Sequence, residues 1–506
     1  MSFAHLLKTV THLGSPTVLL AGDFMLDSYI YGDALRISPE APVQVLKVVD
    51  RQYCPGGAAS VAADITTLEA RCLCIGTVGD DNEGRRLLEL LSRLNADCSG
   101  LLTVRDRPTI SKQRIIGLAQ HRHRQQLLRI DDECTNPYTP IQYEQLFDLF
   151  RRQLTSCDVV CLQDYNKGLL VPDFCRRLIE AARKAGKKVL VDPPLQSDYS
   201  KFTGATVITP NRKETAAAVG FPIETIDDAA RAAALLHEQL QLEAVVITLD
   251  KEGAYLRTDD IDQHIPTVPR VVYDVTGAGD MMLAVLAVTL AAGCDWITAL
   301  QIANIAAGLE VEKFGVATVS IDEIVNEIIS RSKGKTGKIR DDWSVLLKEL
   351  QLRRRQKETI VFTNGCFDVL HRGHIEYLNF CRQQGDVVVV GLNSDASVRA
   401  LKGPDRPINN QHDRAAVLAA LESVDYVVFF DDLDPLRLIQ QIRPDVLVKG
   451  ADWAQKGVVG REFVESYGGV VKLAPLVEGK SSTNIIQQIR SGQAGSRQEA
   501  TPHDAE

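Results

Sequence analysis

The chain has 506 residues, of which 45% are apolar and 24% charged, and its formal net charge is −9. These ordinary globular values exclude a disordered or fibrous chain, and at about 100–200 residues per domain the length predicts two to four domains. Lys and Arg are scattered, which leaves no broad basic footprint for a nucleic acid. The longest apolar run, MMLAVLAVTLAAG, falls short of the roughly 20 residues a membrane helix needs. Small-molecule substrates are therefore expected, with neither nucleic acid nor membrane as partner.

The N-terminal MSFAHLLKTVTHLG lacks a charged segment leading into a long apolar stretch, so a cytoplasmic location is expected. The 11 cysteines are an odd number without a CxxC pair, and settings such as VVCLQD and RCLCIG suit small core residues in a reducing compartment.

In chain order, the first two thirds alternate short apolar runs with helix-sized segments. TVLLAGD, RCLCIGTVGD, DVVCLQD, KKVLVDP, ATVITPN and AVVITLD read as buried parallel strands, and GGAASVAADITTLEA reads as a helix between the first two. APVQVLKVVDRQY and part of PTISKQRIIG alternate apolar and polar residues, which predicts half-exposed strands of a small β lid. This α/β domain is expected over residues 1–330. The basic stretch around RSKGKTGKIRDDW supplies a linker over 331–342. The rhythm restarts after WSVLLKELQLRRRQ with TIVFTNGCFDVL, DVVVVGLNSD, VDYVVFF, PDVLVKG and GVVKLAP, giving a second α/β domain over 343–490. Residues 491–506 form a polar, aperiodic tail expected to be disordered. GKT at 334–336 and GKS at 479–481 are not P-loops, because the required earlier glycine is Ile329 in one and Ala474 in the other.

Two stretches carry chemistry. In DVTGAGD, residues 274–280, Gly277, Ala278 and Gly279 open an apolar helix, so backbone N–H groups and the helix N-terminus can face a phosphate. Asp280 stands beside them as a candidate proton acceptor. Taken alone, the segment is equally a helix cap with turn glycines. In TNGCFDVLHRGHIEYL, His371 and His374 lie three apart around Gly373. Zinc would need about four ligands and finds no Cys or Glu at ligand spacing nearby, so no metal is expected on this HxxH pair. A strand, a glycine turn and a helix N-terminus instead favour a phosphate.

The first stretch resembles the signature of the ribokinase-like (PfkB) carbohydrate kinases. Gly22-Asp23, Gly56-Gly57 and TPNRKE at 209–214 match that family's other motifs in order. The resemblance implies ATP and Mg²⁺, Asp280 as base and Gly277, Ala278 and Gly279 as anion hole. It also implies Asn211 and Glu214 near the nucleotide phosphates and Mg²⁺, with Asp23, Gly56 and Gly57 at the sugar. An excess of lid cations, Lys112, Arg114, Arg122, Arg124 and Arg129, suits a sugar that already bears a phosphate. The chain departs from the family pattern at Ser60, Pro194 and Met281, where Asn, Lys and a small residue are usual.

The second stretch resembles the HxGH nucleotidyltransferases, which implies a Rossmann-like domain. Asn364, Gly365, Phe367, Gly373, Lys402, Ser481, Ser482 and Thr483 would then bind nucleotide around the catalytic His371 and His374. The order of GDFMLDSYIYG, PGGAA, YDVTGAGD, TNGCFDVLHRGH, LKG, RPDVLVKG and STNII is similar to the bifunctional heptose enzymes of Gram-negative lipopolysaccharide synthesis. That resemblance implies phosphorylation of heptose 7-phosphate at O1, then adenylyl transfer to heptose 1-phosphate after a separate phosphatase has acted. It also implies a homodimer through the kinase lid. The alternative is another sugar-phosphate kinase joined to a cytidylyltransferase-type enzyme. A regulatory protein with one inactive domain is disfavoured by the intact Asp280 and HxGH.

Overall fold

A buried parallel strand must satisfy both faces with apolar side chains, and the runs named above do so in the computed structural model. It describes residues 3–118, 125–267, 277–313, 317–332, 338–340, 343–355 and 357–475. The chain divides into two compact units that part between Glu327 and Ile328, the second also taking in the N-terminal residues up to Leu7.

In the first unit the strands are β1 (Thr17–Gly22), β2 (Phe24–Ile37), β3 (Gln44–Gly57), β4 (Arg71–Gly79), β5 (Asp97–Val104), β6 (Ile110–Gly117), β7 (Gln125–Asp132), β8 (Val159–Gln163), β9 (Lys188–Asp192), β10 (Val207–Ile208), β11 (Ala244–Thr248), β12 (Ala254–Thr258) and β13 (Asp262–Ile265). Nine of them form one sheet in the order β13-β12-β11-β10-β9-β8-β1-β4-β5. It is parallel from β11 to β5, and β12 and β13 add an antiparallel edge that the sequence reading did not anticipate. The chain leaves β1 toward β4 on one side and returns to β8 on the other. Strand order therefore reverses beside β1, the place where open α/β sheets receive ligands at their carboxyl ends.

The expected lid is present as a separate sheet in the order β3-β2-β6-β7. Its strands keep one apolar side uncovered, leaving Val48, Val49, Leu128 and Ile130 exposed. At the lid's exit Arg107 donates to the carbonyl oxygens of Cys134, Asn136 and Lys167, and its guanidinium lies 4.1 Å from the Tyr138 ring centroid.

One helix governs the chemistry. Ala278–Ala291 is apolar on every side, as MMLAVLAVTL dictates, so it can only be buried, and every residue from Asp280 to Leu290 is. Its neighbour Trp296–Glu310 is buried over most of its length. On another face of the sheet, the capped helix Pro140–Leu154 sends Leu146 and Phe150 into a core shared with Leu19, Val160, Phe174 and Phe202.

The second unit is a six-stranded parallel sheet of β14 (Ile339–Arg340), β15 (Ile360–Gly365), β16 (Val387–Asn393), β17 (Tyr426–Phe430), β18 (Val446–Gly450) and β19 (Val470–Ala474), in the order β14-β17-β16-β15-β18-β19. Residues 339–340, read from sequence as part of a linker, instead pair with β17. Arg340 is anchored by a buried fork to Glu349, at 2.9 and 3.1 Å. Strand order reverses between β15 and β18, and the histidine segment leaves β15 there. The tail expected over 491–506 lies outside the described residues.

Phe150 is fully buried, so Phe150→Ala removes a ring from a closed core. We expect a loss of about 3–5 kcal/mol of unfolding free energy, read as a lower urea midpoint.

Candidate active sites

The carboxyl ends of β1, β8, β9 and β10 converge with the N-terminus of the helix Ala278–Ala291. β8 ends in Gln163 and β9 in Asp192, while Asp23 follows β1 and Asn211 follows β10. The Gln163 amide uses both hydrogens at once, donating to Asp280 at 2.9 Å and to Asp192 at 2.8 Å. Tyr165 donates its hydroxyl to Asp280 at 3.1 Å, and Thr209 donates to Asp192 at 3.0 Å. Ser60, the departure after PGGAA, also hydrogen-bonds the Asp280 carboxylate.

Burial dominates the electrostatics here. Asp280 is pushed up to about 8 by desolvation and then by the negative Asp192, against which the Tyr165 and Ser60 hydroxyls pull downward. Desolvation also raises Asp192 and Glu214. The Asp192 charge raises Glu214 further. Asp280 and Glu214 thus each feel the negative charge of Asp192. Gly277 has φ 103°, and a Cβ there would fall 2.2 Å from the Glu310 carboxylate, so only glycine fits. Ala278 and Gly279 begin the helix behind it. Asp274, Val275 and Thr276 lie outside the described residues.

Asn211 and Glu214 form a reciprocal capping box. The Asn211 side chain accepts from the N–H groups of Lys213 and Glu214, and Glu214 accepts from the Asn211 N–H at 2.8 Å. The motif therefore builds its own helix start while holding Glu214 toward Asp192. Among the described residues no three His, Cys, Asp or Glu side chains gather as a metal site, but the two carboxylates of Glu214 and Asp192 suit Mg²⁺, which is usually held by one or two carboxylates together with substrate phosphates.

On the sugar side, Asp23 is buried and accepts from the N–H groups of Tyr165 and Lys167 at 3.0 and 3.1 Å. Burial and then the nearby Asp164 raise its pKa to about 6. The buried Lys201–Asp164 ion pair, 2.5 Å long, secures that loop. A Cβ on Gly56 would lie 2.9 Å from the Asp27 carboxyl carbon, and one on Gly57 2.6 Å from the Asp23 carbonyl oxygen, which accounts for the paired glycines. Of the lid cations, Arg114 pairs with Asp27 at 3.1 Å, Arg129 forks onto Asp131, and Lys112 lies 5.0 Å from the Tyr165 ring centroid. Lys112 thus neighbours the ring whose hydroxyl holds Asp280. Arg122 and Arg124 lie outside the described residues.

In the second unit His371 caps the helix Arg372–Arg382 and His374 sits in its first turn. Their rings stack with centroids 4.0 Å apart, and Phe367 lies 5.2 Å from His374. Phe367 takes φ 44° and covers Gly365, where a Cβ would meet its ring at 3.0 Å. Burial, then the neighbouring charges of His371 and Lys402, lower His374 to about 4, so its ring is neutral near pH 7 and donates through one N–H. Gly373 lies between the histidines, and Lys402 ends the helix Asp395–Lys402.

Asp368 accepts from Arg406 at 2.5 Å and from the Ile408 N–H at 2.6 Å. Arg414 binds the carbonyls of Cys366 and Asn393 and the Asp395 carboxylate. These two guanidinium clamps fix the loops around the histidines. Asn364, at the end of β15, accepts from Lys449 at the end of β18. Ser481, Ser482 and Thr483 lie outside the described residues.

No motif singled out Gln163, Tyr165, Asp192, Arg414 or Lys449. The available signal was a polar residue ending an apolar run, as in VVCLQ, KVLVD and VLVKG.

The pfkB family carbohydrate kinase profile matches residues 17–323, and the cytidylyltransferase-like profile matches residues 362–488. Fold and sites together define a carbohydrate kinase joined to a nucleotidyltransferase in one polypeptide. The chain is 44% identical over 472 residues to the bifunctional protein HldE of Pelobacter propionicus, covering 93% of this chain and 95% of that one. It is also 44% identical to the HldE proteins of Geobacter sulfurreducens and Wolinella succinogenes, covering 94% of this chain and 96% and 98% of theirs. The chain belongs to the bifunctional HldE family. Structures of Escherichia coli phosphofructokinase-2, in its tetrameric inhibited form and with substrates and products, superpose with TM-scores of 0.52 and 0.51. They share 20% identity and cover 63% and 62% of this chain and 99% of each of those chains, which shows the ribokinase-like fold.

The hydroxyl of Tyr165 favours ionised Asp280, so Tyr165→Phe moves the Asp280 pKa upward. The acid limb of the sugar-phosphorylation pH profile is expected to shift to higher pH, with activity at pH 7 several-fold lower and activity at pH 9 nearly unchanged.

Proposed function

We propose that the first unit transfers the γ-phosphoryl group of ATP to O1 of D-glycero-β-D-manno-heptose 7-phosphate. The second unit transfers the adenylyl group of ATP to heptose 1-phosphate, giving ADP-heptose and pyrophosphate for the lipopolysaccharide inner core. The observation that carries this reading is the buried Asp280 at a glycine-opened helix N-terminus, in a chain whose HldE relatives align along nearly its whole length.

In the kinase, Asp280 takes the proton of the O1 hydroxyl as the O1–P bond forms, and ADP departs with the electrons of the broken P–O bond. A carboxylate raised toward 8 is a stronger base than an ordinary one, and it must lose its own proton first. The Gly277–Gly279 backbone and the helix N-terminus stabilise the charge on the transferring group. Asp192, Glu214 and Asn211 would hold Mg²⁺, which neutralises phosphate charge when bound. Asp23 and the Gly56-Gly57 turn receive the sugar, and Lys112 and Arg114 face its 7-phosphate.

In the second unit a phosphate oxygen of the acceptor attacks the α-phosphorus in line and expels pyrophosphate. His371, His374 and the helix N-terminus donate to the nucleotide phosphates, with Asn364, Gly365, Phe367, Gly373 and Lys402 completing the nucleotide side. Ser481, Ser482 and Thr483 are assigned there by their motif alone. The kinase product carries two phosphates and the adenylyl acceptor one, so a separate phosphomonoesterase acts between the two steps. The enzyme works in the cytoplasm, consistent with 11 free cysteines. Among the described residues no helix is long and apolar enough to cross a membrane. The exposed apolar side of the lid supports pairing with a second copy.

Asp280→Asn should abolish ADP release from ATP and heptose 7-phosphate while pyrophosphate release from ATP and heptose 1-phosphate continues. His374→Ala should do the reverse. Undiminished ADP release by Asp280→Asn would falsify the assigned base. A nucleotide panel against heptose 1-phosphate should show ATP preferred, whereas CTP preference would favour a cytidylyltransferase. Replacing two exposed lid residues, Val49→Glu with Leu128→Glu, should convert a dimer to a monomer in sedimentation; an unchanged mass would remove the lid from the interface.

A further inference from the structure

The nucleotidyltransferase reading leaves one buried cation without a task. Lys449 is 5% exposed at the carboxyl end of β18, and its ammonium donates across the strand-order reversal to the amide oxygen of Asn364 at the end of β15. It also lies 5.3 Å from the Trp453 ring centroid. Among the described residues its hydrogen bond to Asn364 is its one polar contact, and no carboxylate reaches ion-pair distance. The ionisable groups that face it are Asp452, beyond the end of β18, and Cys366, beyond the end of β15. A neutral amide oxygen does not compensate a buried positive charge. Burial accordingly lowers the Lys449 pKa to about 8, although Asp452 and Cys366 both act to raise it.

The surroundings are fixed. Tyr377, on the helix that carries His374, donates to the Val448 carbonyl at 3.0 Å and meets the Thr363 hydroxyl at 2.6 Å, stitching that helix to both β15 and β18. The other lysine of the site, Lys402, makes its charge felt at His374. Lys402 thus acts at His374, and Lys449 reaches the end of β15 through Asn364. Adenylyl transfer brings together two anions that repel, a nucleoside triphosphate and a phosphate monoester, and each needs its own positive partner.

We propose that Lys449 is the cation that binds the phosphate of the acceptor sugar 1-phosphate, exchanging the Asn364 oxygen for a phosphoryl oxygen. This rests on the second unit being a nucleotidyltransferase. Lys449 keeps its proton throughout. A second oxygen of the held phosphate forms the new bond to the α-phosphorus, the α–β bridging bond breaks, and pyrophosphate leaves with the electron pair.

The test uses the full chain with ATP and heptose 1-phosphate, following pyrophosphate. Lys449→Met keeps side-chain length without charge and should raise the KM for the sugar phosphate by about 10- to 100-fold, the loss expected of one charge-assisted hydrogen bond, with the KM for ATP within about twofold. In the wild type, kcat/KM for the sugar phosphate should fall above pH 8 as the ammonium deprotonates. Lys449→Arg, which stays charged, should abolish that fall. An unchanged acceptor KM, an equal rise in both KM values, or an alkaline fall that persists in Lys449→Arg overturns the assignment. If Lys449→Met no longer binds ATP by calorimetry, the Lys449→Arg pH profile decides. A wild-type protein that releases no pyrophosphate from any sugar 1-phosphate overturns the nucleotidyltransferase reading and this assignment with it, whereas turnover with an unaltered acceptor KM in Lys449→Met overturns this assignment alone.

Discussion

A single amide holds two carboxyl groups at the heart of the first unit. Gln163 donates one hydrogen to the buried Asp280 and the other to the partly buried Asp192. The all-apolar helix behind Asp280 makes this arrangement necessary, because it removes the water that would otherwise solvate the charge. The same helix offers its N-terminus and a glycine opening to an incoming anion. Desolvation, base strength and anion binding thus arise from one packing decision, the burial of MMLAVLAVTL against the sheet.

The second unit reaches a related result by different means. His374 is held neutral near pH 7 by desolvation and nearby charge, and Lys402 and Lys449 bring positive charge to the site. The loops around them are held by arginines that bind backbone carbonyls and carboxylates, so the surrounding frame is set before any nucleotide arrives. In both units the polar groups project from the carboxyl ends of parallel strands where strand order reverses. That position leaves a crevice with free backbone groups, and the two units share it without sharing a motif.

Much of this was legible in the sequence because strands buried on both faces read as continuous apolar runs. TVLLAG, VVCLQ, KVLVD and VVVVGLN announce themselves, and glycine pairs mark places where a side chain would collide. Gly56 and Gly57 were read as a sugar turn, and the colliding partners are Asp27 and Asp23. The Gln163 amide and the Lys449 ammonium were not legible, since each is one polar residue whose meaning depends on a neighbouring strand far away in sequence. Ser60 is similar. It was noted as a departure from a pattern, but that its hydroxyl would touch Asp280 depends on the helix Ala58–Thr67 packing against the catalytic helix. The antiparallel pair β12 and β13 was missed because AYLRTDDIDQHI is too short and polar to stand out.

Arg107 ties together places that the chain visits at separate times. Its planar head reaches carbonyls on the segment leaving the lid and on the loop that carries Tyr165 and presents backbone donors to Asp23. A rigid five-donor fork can satisfy several acceptors at fixed angles, whereas an ammonium would hold them loosely. The segment leaving the lid and the loop that carries Tyr165 consequently share one mechanical fastening.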